Sequence, residues 1–163
     1  MFSVMEAGFT RYQTITDTWS MRVAGAAQFA SGPLFLSQQF SLGGAAFGRG
    51  YDAAFITGDN GVGGLAELRF DQKLPWALVH GLQLYGFVDG GAVWDTDEIG
   101  RRSLVSAGLG FRLAIADDWQ AGAAVAFPLV TSNVDVESHA ARLLFSVTKT
   151  LKACPSRVQF WCS

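Results

Sequence analysis

Residues 40–59 read Phe-Ser-Leu-Gly-Gly-Ala-Ala-Phe-Gly-Arg-Gly-Tyr-Asp-Ala-Ala-Phe-Ile-Thr-Gly-Asp and form the one long segment without strand-like alternation of polar and apolar residues. Glycines at positions 43, 44, 48 and 50 surround a single cation, Arg49. Glycine adopts backbone conformations that other residues avoid, and it allows a close approach to neighbouring atoms. The segment is therefore either a surface loop with an incidental Arg or a loop that aims Arg49 at a partner, and the flanking sequence must decide.

The composition limits the classes of protein to consider. The chain has 163 residues, enough for one domain, and half of them are hydrophobic, whereas only 16% are charged. A net charge of −2 gives no basic surface for nucleic acid. The richest apolar run, residues 121–130, is shorter than the roughly 20 residues of a transmembrane helix, and residues 1–20 lack a signal-peptide pattern. The chain is thus expected to be a soluble β-protein or part of a membrane β-barrel whose front is missing.

Alternation with a period of two runs through most of the remaining sequence and predicts β-strands. Between Trp19 and Phe29, for example, alternate residues are apolar and the intervening ones are polar or small. The pattern predicts about seven strands of roughly 9–13 residues. Short turns are predicted at 16–18 and 117–118, and a further turn at Gly58-Asp59-Asn60-Gly61. A connection is predicted at 72–81, and longer loops at 33–61, 95–102 and 131–139.

Short connections at one end of a meander and long loops at the other are typical of outer-membrane barrels. Trp19, Trp94, Trp119 and either Phe29 or Phe127 lie near predicted strand ends, where membrane proteins carry aromatic belts. A soluble sandwich or ligand-binding barrel shows the same alternation, but its second face should be charged. Here that face is mostly Gly, Ala, Ser and Gln, so we favour the membrane barrel and keep the soluble barrel as an alternative.

Several motifs lie in the glycine-rich segment and in the strands after it. They are Gln38-Gln39-Phe40-Ser41-Leu42-Gly43-Gly44, Gly48-Arg49-Gly50-Tyr51, Glu67-Leu68-Arg69-Phe70, and Phe87-Val88-Asp89-Gly90-Gly91 with Val93-Trp94. Together they resemble the C-terminal part of the haemolysin secretion/activation proteins, the outer-membrane transporters of two-partner secretion. The resemblance spans about residues 8–151, and one departure is Gly48, where the family usually has Val.

This resemblance implies an all-β fold, an antiparallel meander that forms the C-terminal portion of a sixteen-stranded transmembrane β-barrel. In such proteins the Arg-Gly-Tyr sequence lies at the tip of the sixth extracellular loop, which folds into the lumen. Residues 1–151 would then be barrel, with residues 31–62 as the inward-folded loop, and residues 152–163 would be an atypical tail. Roughly nine strands and the periplasmic domains would be absent, so we expect a C-terminal fragment.

The resemblance also implies a function: secretion of a large unfolded exoprotein, haemolysin-like or adhesin-like, across the bacterial outer membrane, with no enzymatic activity and no cofactor. The expected partners are the exoprotein client, the lipid bilayer and the barrel-assembly machinery that inserts the protein, but no nucleic acid. An insertase-type barrel that assembles other outer-membrane proteins has the same Arg loop and is the alternative function.

The resemblance assigns Asp89, on the strand that carries the Phe87-Val88-Asp89 sequence, as the lumenal partner of Arg49. Alternation also places Asp89 on the face away from lipid. A planar guanidinium against a carboxylate would give a two-pronged, charge-assisted contact, and we call the Arg49–Asp89 contact the latch. Glu67 or Asp52 could be the partner of Arg49 instead. The residues expected around the latch are Gly48, Gly50, Tyr51 and Phe87.

Further polar residues fall on the same predicted inner face. They could line a conduction path, but we expect the arginines to pair with carboxylates inside the barrel. The residues concerned are Arg22, Glu67, Arg69, Arg112 and Arg142.

No catalytic or metal site is predicted. His80 and His139 lie in connections without a nearby nucleophile, and the acidic residues within 95–98 are expected to be solvated. The glycines of the loop lack the Lys-Ser/Thr of a phosphate-binding loop. Cys154 and Cys162 form no Cys-x-x-Cys motif, and a disulfide between them in the tail is open.

Overall fold

The computed structural model describes residues 3–76, 78–97, 100–115, 118–132 and 140–150. None of these residues forms a helix long and apolar enough to cross a membrane. Several sequence predictions concern residues outside the described part of the chain. They are the tail 152–163 with Cys154 and Cys162, most of the loop 131–139 with His139, the first residue of the turn 117–118, and Glu98.

Seven strands form one antiparallel sheet in which each strand lies beside the next, apart from one insertion. In order across the sheet they are β1 (Val4–Thr14), β2 (Trp19–Ala30), β5 (Asn60–Lys73), β6 (Val79–Trp94), β7 (Arg101–Ile115), β8 (Trp119–Ser132) and β9 (Arg142–Lys149). The predicted all-β antiparallel meander of about seven strands is confirmed. Within the described residues the sheet is open, with β1 and β9 at its edges.

The connection between β2 and β5, residues 31–59, is the inserted element, and we call it the β2–β5 loop. It contains one 3-10 turn, Leu36–Gln38, and a small hairpin of β3 (Phe40–Leu42) and β4 (Ile56–Gly58). The loop lies on one face of the sheet and builds a buried core there. That core joins Leu42, Tyr51 and Ile56 of the loop to Val93 and Leu104 of the sheet.

The predicted turn at residues 58–61 is wrong. The chain bends only at Asp59 and enters β5 at Asn60, which pairs with Trp94. Gly61 serves packing rather than turning, because a Cβ atom there would lie 2.3 Å from a ring carbon of Phe40. A glycine that leaves room for an aromatic ring and a glycine in a turn look the same in a sequence.

The opposite face of the sheet is apolar and exposed. Directly paired residues share a face, so the register carries this apolar set continuously from β1 to β9. The large side chains of this face remain exposed and do not form a core, in contrast to a soluble sandwich or ligand-binding barrel. They include Met5, Phe9, Trp19, Phe29, Leu68, Leu84, Val88, Leu109, Phe111, Phe127, Leu143 and Phe145.

A β-bulge interrupts the pairing of β7 with β8. Ser106 pairs with Pro128, but its neighbour Val105 pairs with Val130, so Leu129 is the extra residue. The alternation from Trp119 to Phe127 predicts that Leu129 also faces outward, but the bulge places Val130 in the next outward position instead. Proline lacks the N–H that a regular ladder requires, and bulges are among the places where a sheet accommodates it.

Candidate functional site

The tip of the β2–β5 loop is a compact turn built on positive φ angles. Gly43, Gly44 and Gly48 have φ values of 109°, 89° and 90°. The backbone N–H of Gly43 donates to the carbonyl of Phe47 at 2.8 Å, and that of Tyr51 donates to the carbonyl of Gly48 at 2.9 Å. These turns reverse the chain around Arg49 and present its side chain to the polar face of the sheet.

Arg49 forms an ion pair with Asp89 of β6. The Nε atom of Arg49 lies 2.6 Å from Oδ2 of Asp89. The other carboxylate oxygen, Oδ1, accepts hydrogen bonds from the backbone N–H groups of Gly48 and Arg49 at 3.0 and 3.1 Å. Asp89 therefore binds the loop through one side chain and two backbone groups, and it is itself buried.

The guanidinium of Arg49 is shared between two carboxylates. Its Nη1 atom lies 3.0 Å from Oε2 of Glu67 on the neighbouring strand β5. The expected two-pronged contact with Asp89 alone is therefore wrong, because the fork divides between adjacent strands. Asp52, the other alternative partner, instead lies 3.1 Å from Nη2 of Arg142 on β9.

Phe87 supports the same guanidinium from below. The central carbon of the Arg49 guanidinium lies 3.4 Å from the centre of the Phe87 ring, and Phe87 is buried. A guanidinium over an aromatic face is held by the electrostatic field of the ring as well as by its anions. Arg49 is thus fixed by charge on two sides and by a ring on a third.

Glu67 is the centre of a larger ion network on the polar face. Its Oε1 atom accepts from Nε of Arg69 at 2.7 Å and from Arg112 at 3.1 Å. Arg112 also donates to Gln83 at 2.6 Å and lies over the ring of Tyr85, 3.8 Å from its centre. The predicted inner arginines 69 and 112 are brought together here with Arg49.

Arg22 lies at the edge of this network. It is directly opposite Glu67 in the register of β2 and β5, and its guanidinium carbon is 5.8 Å from the centre of the Tyr12 ring. The structure places it on the predicted face, beside Tyr12 instead of on a carboxylate contact.

Ser106 of β7 belongs to the site but was not singled out from the sequence. Its hydroxyl donates to Oδ1 of Asp89 and accepts the backbone N–H of Gly50 at 3.1 Å. Alternation along the strand places Ser106 on the inner face. Its position opposite Asp89, however, depends on the register of β6 and β7, which alternation does not give. Ser106 therefore links the latch carboxylate to the loop tip.

A third buried carboxylate, Asp59, holds the base of the loop. Its Oδ1 atom accepts from the N–H of Leu34 at 2.8 Å and from the Gln39 side chain at 3.1 Å, and its Oδ2 atom accepts from the N–H of Thr96 at 3.0 Å. Burial raises the pKa of Asp59, but the hydrogen bonds from Thr96, Leu34 and Gln39 outweigh it, so the pKa lies below its ordinary value. Asp59 is therefore an anion that joins the two ends of the β2–β5 loop to the β6–β7 connection.

The chemistry of this site is that of a fixed ion network. Two buried carboxylates, Glu67 and Asp89, are surrounded by arginine and serine donors. Within the described ranges no three His, Cys, Asp or Glu side chains are placed to hold a metal ion. The arrangement can hold the β2–β5 loop in one position against the sheet.

A family model described as haemolysin secretion/activation protein ShlB/FhaC/HecB matches residues 2–113, more than half of the chain. The matched region contains the loop, Arg49, Glu67, Asp89, Ser106 and Arg112. No curated protein and no solved structure matches the chain.

Proposed function

The chain belongs to the haemolysin secretion/activation protein family, as its motifs predicted, and we propose that it secretes a large unfolded exoprotein across the bacterial outer membrane. The family is one of two-partner-secretion transporters of the outer membrane and not of enzymes. In this proposal the sheet is part of the barrel wall, the β2–β5 loop lies on the lumenal side, and the latch holds it there.

The observation that carries the proposal is the position of Arg49 between Asp89 and Glu67, under a loop packed on the polar face. Burying either charge alone costs several kcal/mol, and removing one partner of a buried pair typically costs about 3–5 kcal/mol. A contact of this kind fixes the loop in one register for as long as both partners remain. A transporter needs such a definite loop position if the same loop is to fill or clear the path of the client.

The exposed apolar face supports a lipid bilayer as the second partner. Trp19 and Phe29 lie on this face near the two ends of β2, ten residues apart. At about 3.3 Å per residue and a tilt of about 35–45°, this separation spans about 23–27 Å across a membrane. The apolar band of outer-membrane barrels is about 25 Å tall, and such barrels carry aromatic girdles at both of its edges. We expect the barrel-assembly machinery to insert this sheet.

Charge reversal tests the proposal. In an intact family member with a known exoprotein, we expect the changes that correspond to Arg49→Asp and Asp89→Arg to abolish secretion singly and to restore part of it together. Recovery should be partial, because Glu67 would then face an aspartate at position 49. The measurement is the amount of exoprotein in the culture medium, normalised to the amount of transporter in the outer membrane.

The matched control is Asp71→Arg, because Asp71 lies on the same face of β5 but is exposed and bonded to the Gln83 side chain. It should secrete normally. Normal secretion by the Asp89→Ala variant would contradict the proposed role of the latch.

A further inference from the structure

The β7–β8 bulge lies directly beneath the tip of the β2–β5 loop. At this point Leu129 is inserted between Pro128, paired with Ser106, and Val130, paired with Val105. A bulge disrupts the ladder locally, and Pro128 has no N–H to donate to it. Backbone carbonyls next to the bulge can therefore accept a donor from outside the two strands.

Tyr51 of the loop supplies that donor. Its hydroxyl donates toward the carbonyl oxygens of Val130 and Val105, at 2.8 and 3.1 Å. These two residues form the last regular pair before the bulge. Tyr51 is buried, and a carbonyl that loses its partner in such a place retains the full cost of its desolvation.

Gly50 lies flat against the same bulge. A Cβ atom at Gly50 would be 2.8 Å from the backbone nitrogen of Pro128 and 2.8 Å from Cβ of Ser106. Its own N–H donates to the Ser106 hydroxyl at 3.1 Å. No larger residue fits there without displacing the wall, so the backbone of the tip meets the bulge directly.

From these contacts we propose that the bulge is a docking socket for the loop tip, and that Tyr51 is a positioning residue for Arg49. The socket consists of Val105, Ser106, Pro128 and Val130. The loop tip is bound on both sides of Arg49 along the chain. The Gly48 N–H and the Arg49 side chain bind Asp89, whereas the Gly50 N–H and the Tyr51 hydroxyl bind the socket. Arg49 therefore reaches both carboxylates only while Tyr51 is seated. The inference rests on the proposed latch and adds the element that determines how far Arg49 reaches toward Asp89 and Glu67.

Trypsin cleavage after Arg49 measures whether the tip is seated. Trypsin cuts the peptide bond on the carboxyl side of arginine, and the Arg49–Gly50 bond is buried while the tip is docked. The substitution Tyr51→Phe removes the hydroxyl and keeps the ring, whose centre is 5.3 Å from that of Phe55. On the full chain in membranes, we expect Tyr51→Phe to speed cleavage at Arg49 by about threefold to tenfold.

Two controls accompany this measurement. Tyr12→Phe removes the hydroxyl of a tyrosine that is 65% exposed on edge strand β1, and it should leave the rate at Arg49 unchanged. Cleavage after the exposed Arg101, at the start of β7, should be equal in all variants and shows that the sheet is intact.

Deletion of Leu129 tests the socket from the wall side. Removing this one residue makes the ladder regular and leaves Val130 facing outward. Because the regular ladder no longer offers the loop tip a bulge to dock on, cleavage at Arg49 should rise although Tyr51 is present. Adding Tyr51→Phe to the deletion should then change nothing further. An unchanged rate for Tyr51→Phe alone, or effects that multiply in the double variant, would overturn the proposal.

The cleavage assay does not involve secretion, so the two proposals can fail separately. If the charge-reversal variants secrete normally while Tyr51→Phe frees Arg49, the socket stands and the transport role of the latch does not. If Tyr51→Phe leaves Arg49 protected, the socket is wrong whatever the secretion assay shows.

Discussion

The two carboxylates that share Arg49 depend on it to different degrees. Glu67 retains Arg69 and Arg112, both from the sheet, when the loop leaves. Asp89 would lose the Arg49 side chain and two loop N–H groups, and it would retain the hydroxyl of Ser106. Release of the loop therefore takes three donors from Asp89 and leaves Glu67 with two of its three arginines, so the contacts of Asp89 account for most of the cost of opening the latch.

Gly48 offers a test of the tip geometry at the scale of one residue. Its φ is +90°, and a Cβ atom there would lie 2.5 Å from Cδ1 of Leu104. Gly48→Ala should therefore destabilise the docked tip by about 1–3 kcal/mol, because alanine is strained at positive φ and must also displace Leu104. The measurement is the rate of trypsin cleavage after Arg49, which should rise by about fivefold or more.

Gly100→Ala is the matched control for this change. A Cβ atom at Gly100 has no heavy atom within 4 Å, so the same added methyl group should leave the cleavage rate unaltered. Equal rates for the Gly48 and Gly100 variants would show that the tip does not require the conformation described.

The sequence predicted part of this site for a clear reason. Alternation along one strand determines the face of Asp89, and the glycines around Arg49 indicate an unusual backbone. The division of Arg49 between Asp89 and Glu67, and the role of Ser106, depend on which residues of neighbouring strands lie opposite each other. That register is a property of strand pairs, and a single strand's pattern does not contain it.

At the scale of elements, the β2–β5 loop is fixed at two separate places. The tip is held at Asp89 and the socket, and the base is held at Asp59. The base contacts join Leu34, before β3, to Thr96, after β6, so they do not depend on the tip. Opening of the latch can therefore move the β3–β4 hairpin without breaking the Asp59 contacts at the base of the loop.

Asp59→Asn tests this independence. The asparagine amide would turn its NH2 group toward the N–H of Leu34 or of Thr96, and that N–H would then have no acceptor. Loss of the acceptor of a buried donor typically costs about 1–3 kcal/mol. We expect faster hydrogen exchange at the Leu34 and Thr96 amides and an unchanged trypsin rate at Arg49. Faster cleavage at Arg49 would contradict the independence of base and tip.

The base should also respond to acid in a defined direction. Because the pKa of Asp59 is lowered in the folded protein, its contribution to stability is complete above the ordinary aspartate pKa of about 3.9 and is lost as the pH falls through the folded pKa. Protection of the Leu34 and Thr96 amides should hold from pH 7 to about 4 and decrease below that. The Asp59→Asn variant should lack this acid-dependent component.

Two elements differed from the sequence prediction for the same physical cause. Gly61 indicated a turn but accommodates the Phe40 ring within β5, and Leu129 continued an alternation that the bulge interrupts. In both cases a contact with the β2–β5 loop accompanies the local structure, since Phe40 lies over Gly61 and Tyr51 donates to the carbonyls at the bulge. Local patterns predict strands well, but they do not contain contacts between segments far apart in the chain.

At the scale of the whole molecule, the sheet has two unlike faces. One bears the ion network and the β2–β5 loop, and the other bears large apolar side chains exposed along all seven strands of the sheet. A water-soluble protein of this size would cover so large an apolar surface. In the proposed membrane setting a bilayer would cover it without any further protein layer.

The bilayer interpretation makes a prediction that depends on depth. Val88 is 52% exposed near the middle of β6, whereas Met5 is 70% exposed near the start of β1, on the same face. In lipid, Val88→Arg should lower the free energy of unfolding by about 2–4 kcal/mol, and Met5→Arg by about 0–1 kcal/mol. In water, a surface substitution changes it by only about 0.5 kcal/mol at either position. Urea unfolding of the full chain in lipid vesicles measures both variants, and equal small effects would mean that this face does not meet the membrane.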